Sequence, residues 1–369
     1  MSSLRVLNDA CVHDILINLP KDGILQLRDT LLECLINVSN GSERDFQPSV
    51  GVVNRPEGQK CLFRPFSSPE YFGTKIVVTP APSSKAAGAL HGVITLCDKD
   101  GFPTGIINAE EVTGYRTSLC ALIPYIWRRY TDRIVVFGAG KQALWHLRIA
   151  IALRGNEIKS ITVVNRSEQR AQHMIDRINE ENKKRWKSSA EIEYLNPSRS
   201  DYDTILQGRL GIADAIFCTV GSTSPLFPAH FITNRSNTER YPFISAVGSW
   251  QPDMIELDPQ LLLHAAGHVD KDFCWKGNST GAVLVDDRQA ALLHSGEIVR
   301  SRLQGDNLVE VGEIEILQKQ ANNAELSKWV KEGLVVYKNI GVSTTDLAIG
   351  TALLAIAAGE GIGVLVNDF

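Results

Sequence analysis

The segment "RIVVFGAGKQALWHLRIAIALRG", Arg133 to Gly155, constrains the fold more than any other part of the chain. Arg133 to Phe137 reads as a short buried strand running directly into Gly138-Ala139-Gly140. Beyond the glycines, Ala143, Leu144, Leu147, Ala150 and Ile151 recur at helical spacing, and Gly155-Asn156 supplies a stop. Strand, glycine turn and helix in this order form the first half of a dinucleotide-binding βαβ unit. The first glycine permits the tight turn. The second, lacking Cβ, lets a pyrophosphate approach the backbone over the positive end of a helix. Ala143 stands where the third small residue of such a turn belongs, so Gly138 to Ala143, with Lys141 and Gln142, are assigned to the cofactor.

The next strand decides which dinucleotide. In "SITVVNRSEQRAQ", Ile161 to Val164 is an apolar β-branched run, and Ser167 can cap the following helix. An NAD site places an Asp or Glu at the end of this strand for the ribose 2′-hydroxyl. Here the residues are Asn165, Arg166 and Ser167. A carboxylate would repel a 2′-phosphate, whereas a guanidinium pairs with it bidentately, so the expected cofactor is NADP(H).

A formal charge of −4 and the lack of a basic run argue against a nucleic-acid partner. The seven cysteines (Cys11, Cys34, Cys61, Cys97, Cys120, Cys218 and Cys274) show no metal-ligand spacing, so reduced thiols and no metal are expected. The opening "MSSLRVLNDACVHD" has no apolar leader core, and a cytoplasmic protein is expected. The apolar "DLAIGTALLAIAAGEGIGVLV" is broken by Gly350, Gly359, Gly361, Gly363 and Glu360. It reads as a buried helix followed by a short strand, with no membrane span.

Ahead of the nucleotide unit, "GILQLRDTLLECLINVSNG" has helical spacing, "TKIVVTP" is a strand, and "HGVITLCDKDGFPTGIIN" is a hairpin turning at Lys99-Asp100-Gly101. "TGYRTSLCALIPYIWRRY" reads as a connecting helix with Thr113 near its start. From Arg133 to about Asp270, "IVVFG", "SITVVN", "AIFCTV", "FISAVG" and "HVDKD" alternate with helices, as in an open parallel sheet. The expected class is α/β: a Rossmann domain over 119–332 and a discontinuous α+β substrate and dimerisation domain over 1–118 and 333–369.

The sequence resembles the ornithine cyclodeaminase and μ-crystallin family. The match is carried by "FGTKIVV", "GYRTSLCA", "VVFGAGKQALWH" with "VVNRS", and "NIGVSTTDLA". The resemblance implies a homodimer and an amino or imino acid substrate whose α-carbon faces C4 of the nicotinamide. It also implies that Lys75, in "GTKIVV", and Arg116, in "YRTS", hold the substrate carboxylate. The chemistry agrees, since a guanidinium binds carboxylate bidentately and an ammonium acts as a point charge.

Two departures narrow the activity. Many members carry a second carboxylate-binding arginine in a "QP.R" segment; here "QPSVGVV" has Val50 at that place, with Arg55 and Arg64 nearby but off the motif. Ornithine cyclodeaminases carry an aspartate in "GGD.P"; here "AVGSWQPDMIEL" has Trp250, with Asp253 three residues on. Indole has only a donor N–H and cannot act as a general base. A cyclodeaminase must deprotonate an ammonium before hydride leaves. A protonated ketimine needs only hydride at carbon, and ketimine reductases of the μ-crystallin type resemble this motif.

Trp250 is accordingly placed against the substrate. In "CTVGSTSPLF", Thr219, Gly221 and Ser222 are assigned to the nicotinamide ribose. Asp346, in "STTDLA", faces the site or serves as a helix N-terminal carboxylate, and His91 is structural. The resulting expectation is an NADPH-dependent reductase of C=N bonds in small α-imino carboxylates, reversible as an amino acid dehydrogenase. The alternatives are a cyclodeaminase with recycled NAD and a non-catalytic binder of NADPH and a small acid.

Overall fold

A computed structural model describes residues 3–86, 90–235, 240–267, 281–320 and 323–369. In chain order, β1 (Ser3–Leu7), α1 (Asp9–Asn18) and α2 (Lys21–Asn40) precede the strands β2 (Gly51–Asn54), β3 (Lys60–Ser67), β4 (Tyr71–Thr79), β5 (His91–Asp98) and β6 (Pro103–Asn108). Helix α3 (Ala109–Trp127) is followed by β7 (Arg133–Phe137), α4 (Lys141–Arg154), β8 (Ser160–Val164), α5 (Glu168–Lys184) and β9 (Glu191–Leu195). Next come α6 (Tyr202–Ile212), β10 (Ala215–Cys218), α7 (His230–Thr233), β11 (Phe243–Ala246) and α8 (Pro259–Gly267). The remainder is β12 (Val283–Val285), α9 (Arg288–His294), α10 (Gly296–Ser301), β13 (Leu308–Glu310), α11 (Val311–Lys319), α12 (Ala324–Glu332), β14 (Val335–Lys338), α13 (Thr344–Glu360) and β15 (Val364–Asn367).

The chain divides into two compact units, Met1–Arg116 with Val342–Phe369, and Thr117–Gly341. In the first, a seven-stranded sheet runs β15-β1-β6-β5-β4-β3-β2. Helix α13 packs on β3, β4 and β5, and α1 and α2 pack on α13. Alternation along the strands sends Leu62, Val77, Ile94 and Ile107 to this helix-covered face, where all are buried. On the opposite face Phe63 is 41% exposed, and Val52, Val53 and Phe72 are also exposed elsewhere on the sheet. The Cβ-less backbone of Gly361 takes φ +68° and ends α13, and β15 then pairs antiparallel with β1.

In the second unit all eight strands among the described residues are parallel, in the order β13-β12-β14-β11-β10-β7-β8-β9. Read from β9, the first five follow the doubly wound order 3-2-1-4-5, whose switch point lies between β7 and β10. Strands β7, β8, β10 and β11 are buried on both faces, as the interior of a parallel sheet requires, while the edge strand β9 is half-exposed.

Several boundaries differ from the sequence reading. The connecting helix begins at Ala109, ahead of Thr113, because the Asn108 side chain accepts from Glu110 N–H at 2.9 Å. The first unit resumes at Val342, later than 333, because β14 pairs with β11 and β12 in the parallel sheet. The "HVDKD" strand lies outside the described residues. Among the described residues, no helix is long and apolar enough to cross a membrane.

Candidate active site

In the first unit, Lys75, Arg116 and Asp346 meet. Lys75 shares the helix-covered face of β4 with Val77, while Asp346 sits in the first turn of α13 above that face. Lys75 Nζ lies 2.8 Å from Asp346 Oδ1 and 2.7 Å from Oδ2. Arg116 Nε donates to Oδ1 at 3.0 Å. All are buried, with exposures of 1%, 4% and 0% for Lys75, Arg116 and Asp346.

Burial alone would raise the Asp346 carboxyl, but Arg116, then Lys75 and Arg64, more than offset it and hold Asp346 below the usual carboxylate range. Lys75 is pulled well below an ordinary lysine, first by burial and then by Arg116, with Asp346 opposing and Arg64 adding to the fall. Arg64 is thus a residue of this cluster that the family motifs do not mark. It stands directly across from Lys75 in the β3–β4 register, on the same face. The motif position Val50 is exposed, and so is Arg55. The cluster gathers Lys75, Arg116 and Arg64 around the Asp346 carboxylate. An anion is what it can accept.

In the second unit, Gly138 takes φ +112°, and a Cβ there would lie 2.7 Å from Thr219 Oγ1. Its N–H donates to Val164 O at 2.8 Å, and the Thr219 hydroxyl donates to Phe137 O at 2.7 Å. Thr219 therefore buttresses the glycine turn. Gly140 is the N-cap of α4, with no side-chain cap and no heavy atom within 4 Å of where its Cβ would stand. The first amides of α4, Lys141 and Gln142 among them, sit at an open helix N-terminus suited to a pyrophosphate. Ala143 is fully buried and serves helix–strand packing.

Beside this turn lies a cavity of about 510 Å³ at the carboxyl ends of the strands. Asn165, Arg166, Gly221 and Ser222 line it, together with Tyr202 and Val220. No carboxylate lines it among the described residues, and Arg166 is exposed. Gly138, Ala139, Gly140, Lys141, Gln142, Ala143 and Thr219 do not line the cavity themselves. Ser167 caps α5, accepting from Arg170 N–H at 3.3 Å, and Asn165 Nδ2 donates to Ser167 O at 2.8 Å. Half-buried Trp250 follows β11 and is not among the lining residues.

A buried polar group in this unit escaped the sequence reading. Glu256, Glu297 and Lys338 are each 0% exposed, with buried Ser249 among them. Lys338 Nζ donates to Ser249 Oγ at 2.6 Å, and Glu297 accepts from the Ser249 and Ser295 hydroxyls. The available signals were Glu256 between the apolar Ile255 and Leu257 and a lysine ending the apolar "LVVYK".

No protein-family model matches the chain. A Δ1-pyrroline-2-carboxylate reductase of Bacillus cereus is 25% identical over 304 residues, 80% of each chain. The ketimine reductase μ-crystallin of Macropus fuliginosus is 23% identical over 329 residues, 87% of this chain and 88% of its own. The solved Δ1-pyrroline-2-carboxylate reductase of Thermococcus litoralis, in complex with NADH and L-proline, shares the fold at a TM-score of 0.74 and 17% identity, covering 98% of this chain and 99% of that one.

Proposed function

Since the chain belongs to the ornithine cyclodeaminase and μ-crystallin family, we propose that it is an NADPH-dependent reductase of C=N bonds in small α-imino carboxylates, reversible as an amino acid dehydrogenase. The observation that carries this reading is the buried Asp346 carboxylate bonded by Lys75 and Arg116, with the Arg64 charge added from across the β3–β4 register. A substrate carboxylate balances the excess positive charge, with Arg116 as its bidentate partner and Lys75 as a point charge. Arg64 takes the part of the arginine that Val50 replaces. Asp346, kept ionised, orients both of its partners. Holding the carboxylate fixes the α-carbon, which is chiefly an orientation effect.

A bound nicotinamide supplies hydride from C4 to the imine carbon. A protonated ketimine asks for no general base, so Trp250 in place of the cyclodeaminase aspartate is compatible with reduction. The preference for NADPH is supported by Arg166 at a cavity without carboxylates. A homodimer is supported by the exposed apolar side chains Phe63, Val52, Val53 and Phe72 on the first unit's sheet.

The test is NADPH oxidation with a panel of cyclic ketimines, each with and without its α-carboxylate. Turnover confined to the carboxylated members is expected. Equal turnover of both sets would remove the cation clamp. Binding of NADPH without turnover of any member would leave a binding protein.

A further inference from the structure

Ile255 and Glu256 run beside Val220–Leu226, the segment that forms one wall of the nucleotide cavity. Ile255 N–H donates to Ser222 O at 2.7 Å, and Leu226 N–H donates to Glu256 O at 2.8 Å. The Glu256 side chain adds a second kind of tie. Its Oε1 accepts from Val220 N–H and its Oε2 from Gly248 N–H, each at 2.6 Å. Val220 follows β10 and Gly248 follows β11, so one carboxylate joins the loops leaving adjacent strands. The joint is tight, since a Cβ on Gly248 would lie 2.4 Å from Val220 O and 2.6 Å from Glu256 Oε1.

Two convergent N–H donors need two acceptor oxygens, which a carboxylate has and a carboxamide does not. A buried carboxylate is costly, and an apolar residue would pack the same space. Glu256 is itself secured, its N–H donating to Glu297 Oε1 at 2.8 Å. We propose that Glu256 is a positioning residue for the dinucleotide: ionised, it holds the Val220–Leu226 wall in the shape that receives the cofactor. The proposal rests on the dinucleotide reading given above.

The charged and titratable groups facing Glu256 are Lys338 from β14, Glu297 from α10 and Cys218 from β10. Burial pushes the Glu256 carboxyl up to about 7, with Lys338 opposing and Glu297 assisting. On protonation one oxygen becomes an O–H donor facing an amide N–H, and one loop is released. The signs for folding and binding are opposite. A folded-state value above the ordinary 4.5 means that this group's contribution to fold stability falls as pH rises from there towards 7. Cofactor affinity, by contrast, rises as pH passes 7. A merely structural role would move the two together.

The experiment titrates NADPH and NADH into the full chain by nucleotide fluorescence, from about pH 6 to about pH 8, beside thermal unfolding without nucleotide. NADH controls for the 2′-phosphate, which itself titrates near 6. Affinity for both nucleotides should rise about tenfold across that range, the scale of one charge-assisted hydrogen bond. Glu256→Gln should bind about tenfold more weakly than the wild type at the upper pH, and without the pH dependence. Wild-type affinity that is flat over this range overturns the proposal, whether or not the variant folds. A wild type that binds neither nucleotide overturns the dinucleotide reading and this proposal with it.

Discussion

Lys75 Nζ lies 2.8 Å from Asp346 Oδ1 across 271 residues of sequence, and neither side chain is more than 1% exposed. Arg116 bonds the same oxygen. Removing one member of such a group leaves uncompensated charge in the interior. Asp346→Asn should therefore cost about 3–5 kcal/mol of stability, read by urea unfolding. Lys75→Met in the same chain should restore part of that loss. A double variant as unstable as the sum of the single ones would mean that the two residues do not act on each other.

Arg116→Ala should lower kcat/KM for a carboxylated cyclic imine by about 2–5 kcal/mol in transition-state terms, with NADPH affinity nearly unchanged. Arg116→Lys should rescue only partly, since an ammonium lacks the planar fork. Arg64→Ala should raise KM for the same substrate. If Arg64→Ala left KM untouched while Arg116→Ala raised it, the carboxylate would be held without Arg64.

Arg166→Asp should reverse the order of NADPH and NADH affinity. A charge-assisted bond to the 2′-phosphate is about 1.5–3 kcal/mol, roughly a tenfold to hundredfold preference in the wild type. Equal affinities in the wild type would end the assignment of NADPH.

Asp286, 1% exposed, accepts from Ile340 N–H at 2.9 Å and Gly341 N–H at 2.6 Å. Burial nonetheless pushes its carboxyl up from 3.8 to about 6. A folded value above the unfolded one means that the protonated form favours folding. The stability it contributes is present below 3.8 and is lost as pH rises towards 6, with a slope near 1.4 kcal/mol per pH unit. Asp286→Asn should remove that slope from a pH series of unfolding free energies. An unchanged slope would show that Asp286 stays ionised throughout.

Phe63→Glu places a charge on the exposed face of the first unit's sheet. Light scattering at micromolar concentration should give a dimer for the wild type and a smaller species for the variant. A wild-type monomer would remove the dimer from the reading.

Local chemistry was legible in the sequence, and non-local pairing was not. The turn Gly138-Ala139-Gly140 and the arginine at the end of β8 follow from spacing and residue type, and both stand where that spacing put them. Lys75 and Arg116 were marked by motif, and Asp346 had two readings. The structure has it in the first turn of α13 and on both cations. Arg64 became visible only through the β3–β4 register, which no short stretch of sequence specifies. Residues 333–341, strand β14 among them, were grouped with the first unit for the same reason, since an apolar run does not name its neighbours. Glu256 went unmarked in the sequence, because its convergent amides come from loops 36 and 8 residues away.

The discontinuity of the first unit has a consequence for the chain as it leaves the ribosome. Residues 117–341 are contiguous and can complete their unit while Val342–Phe369 are still being made. Lys75 and Arg116 emerge before residues 117–341 and must wait, outside any core, for Asp346 to follow them. A message truncated between the codons for Gly341 and Asp346 yields a second unit able to fold and a first unit whose cations have no burial place. Such products should be marked for degradation by the first unit alone.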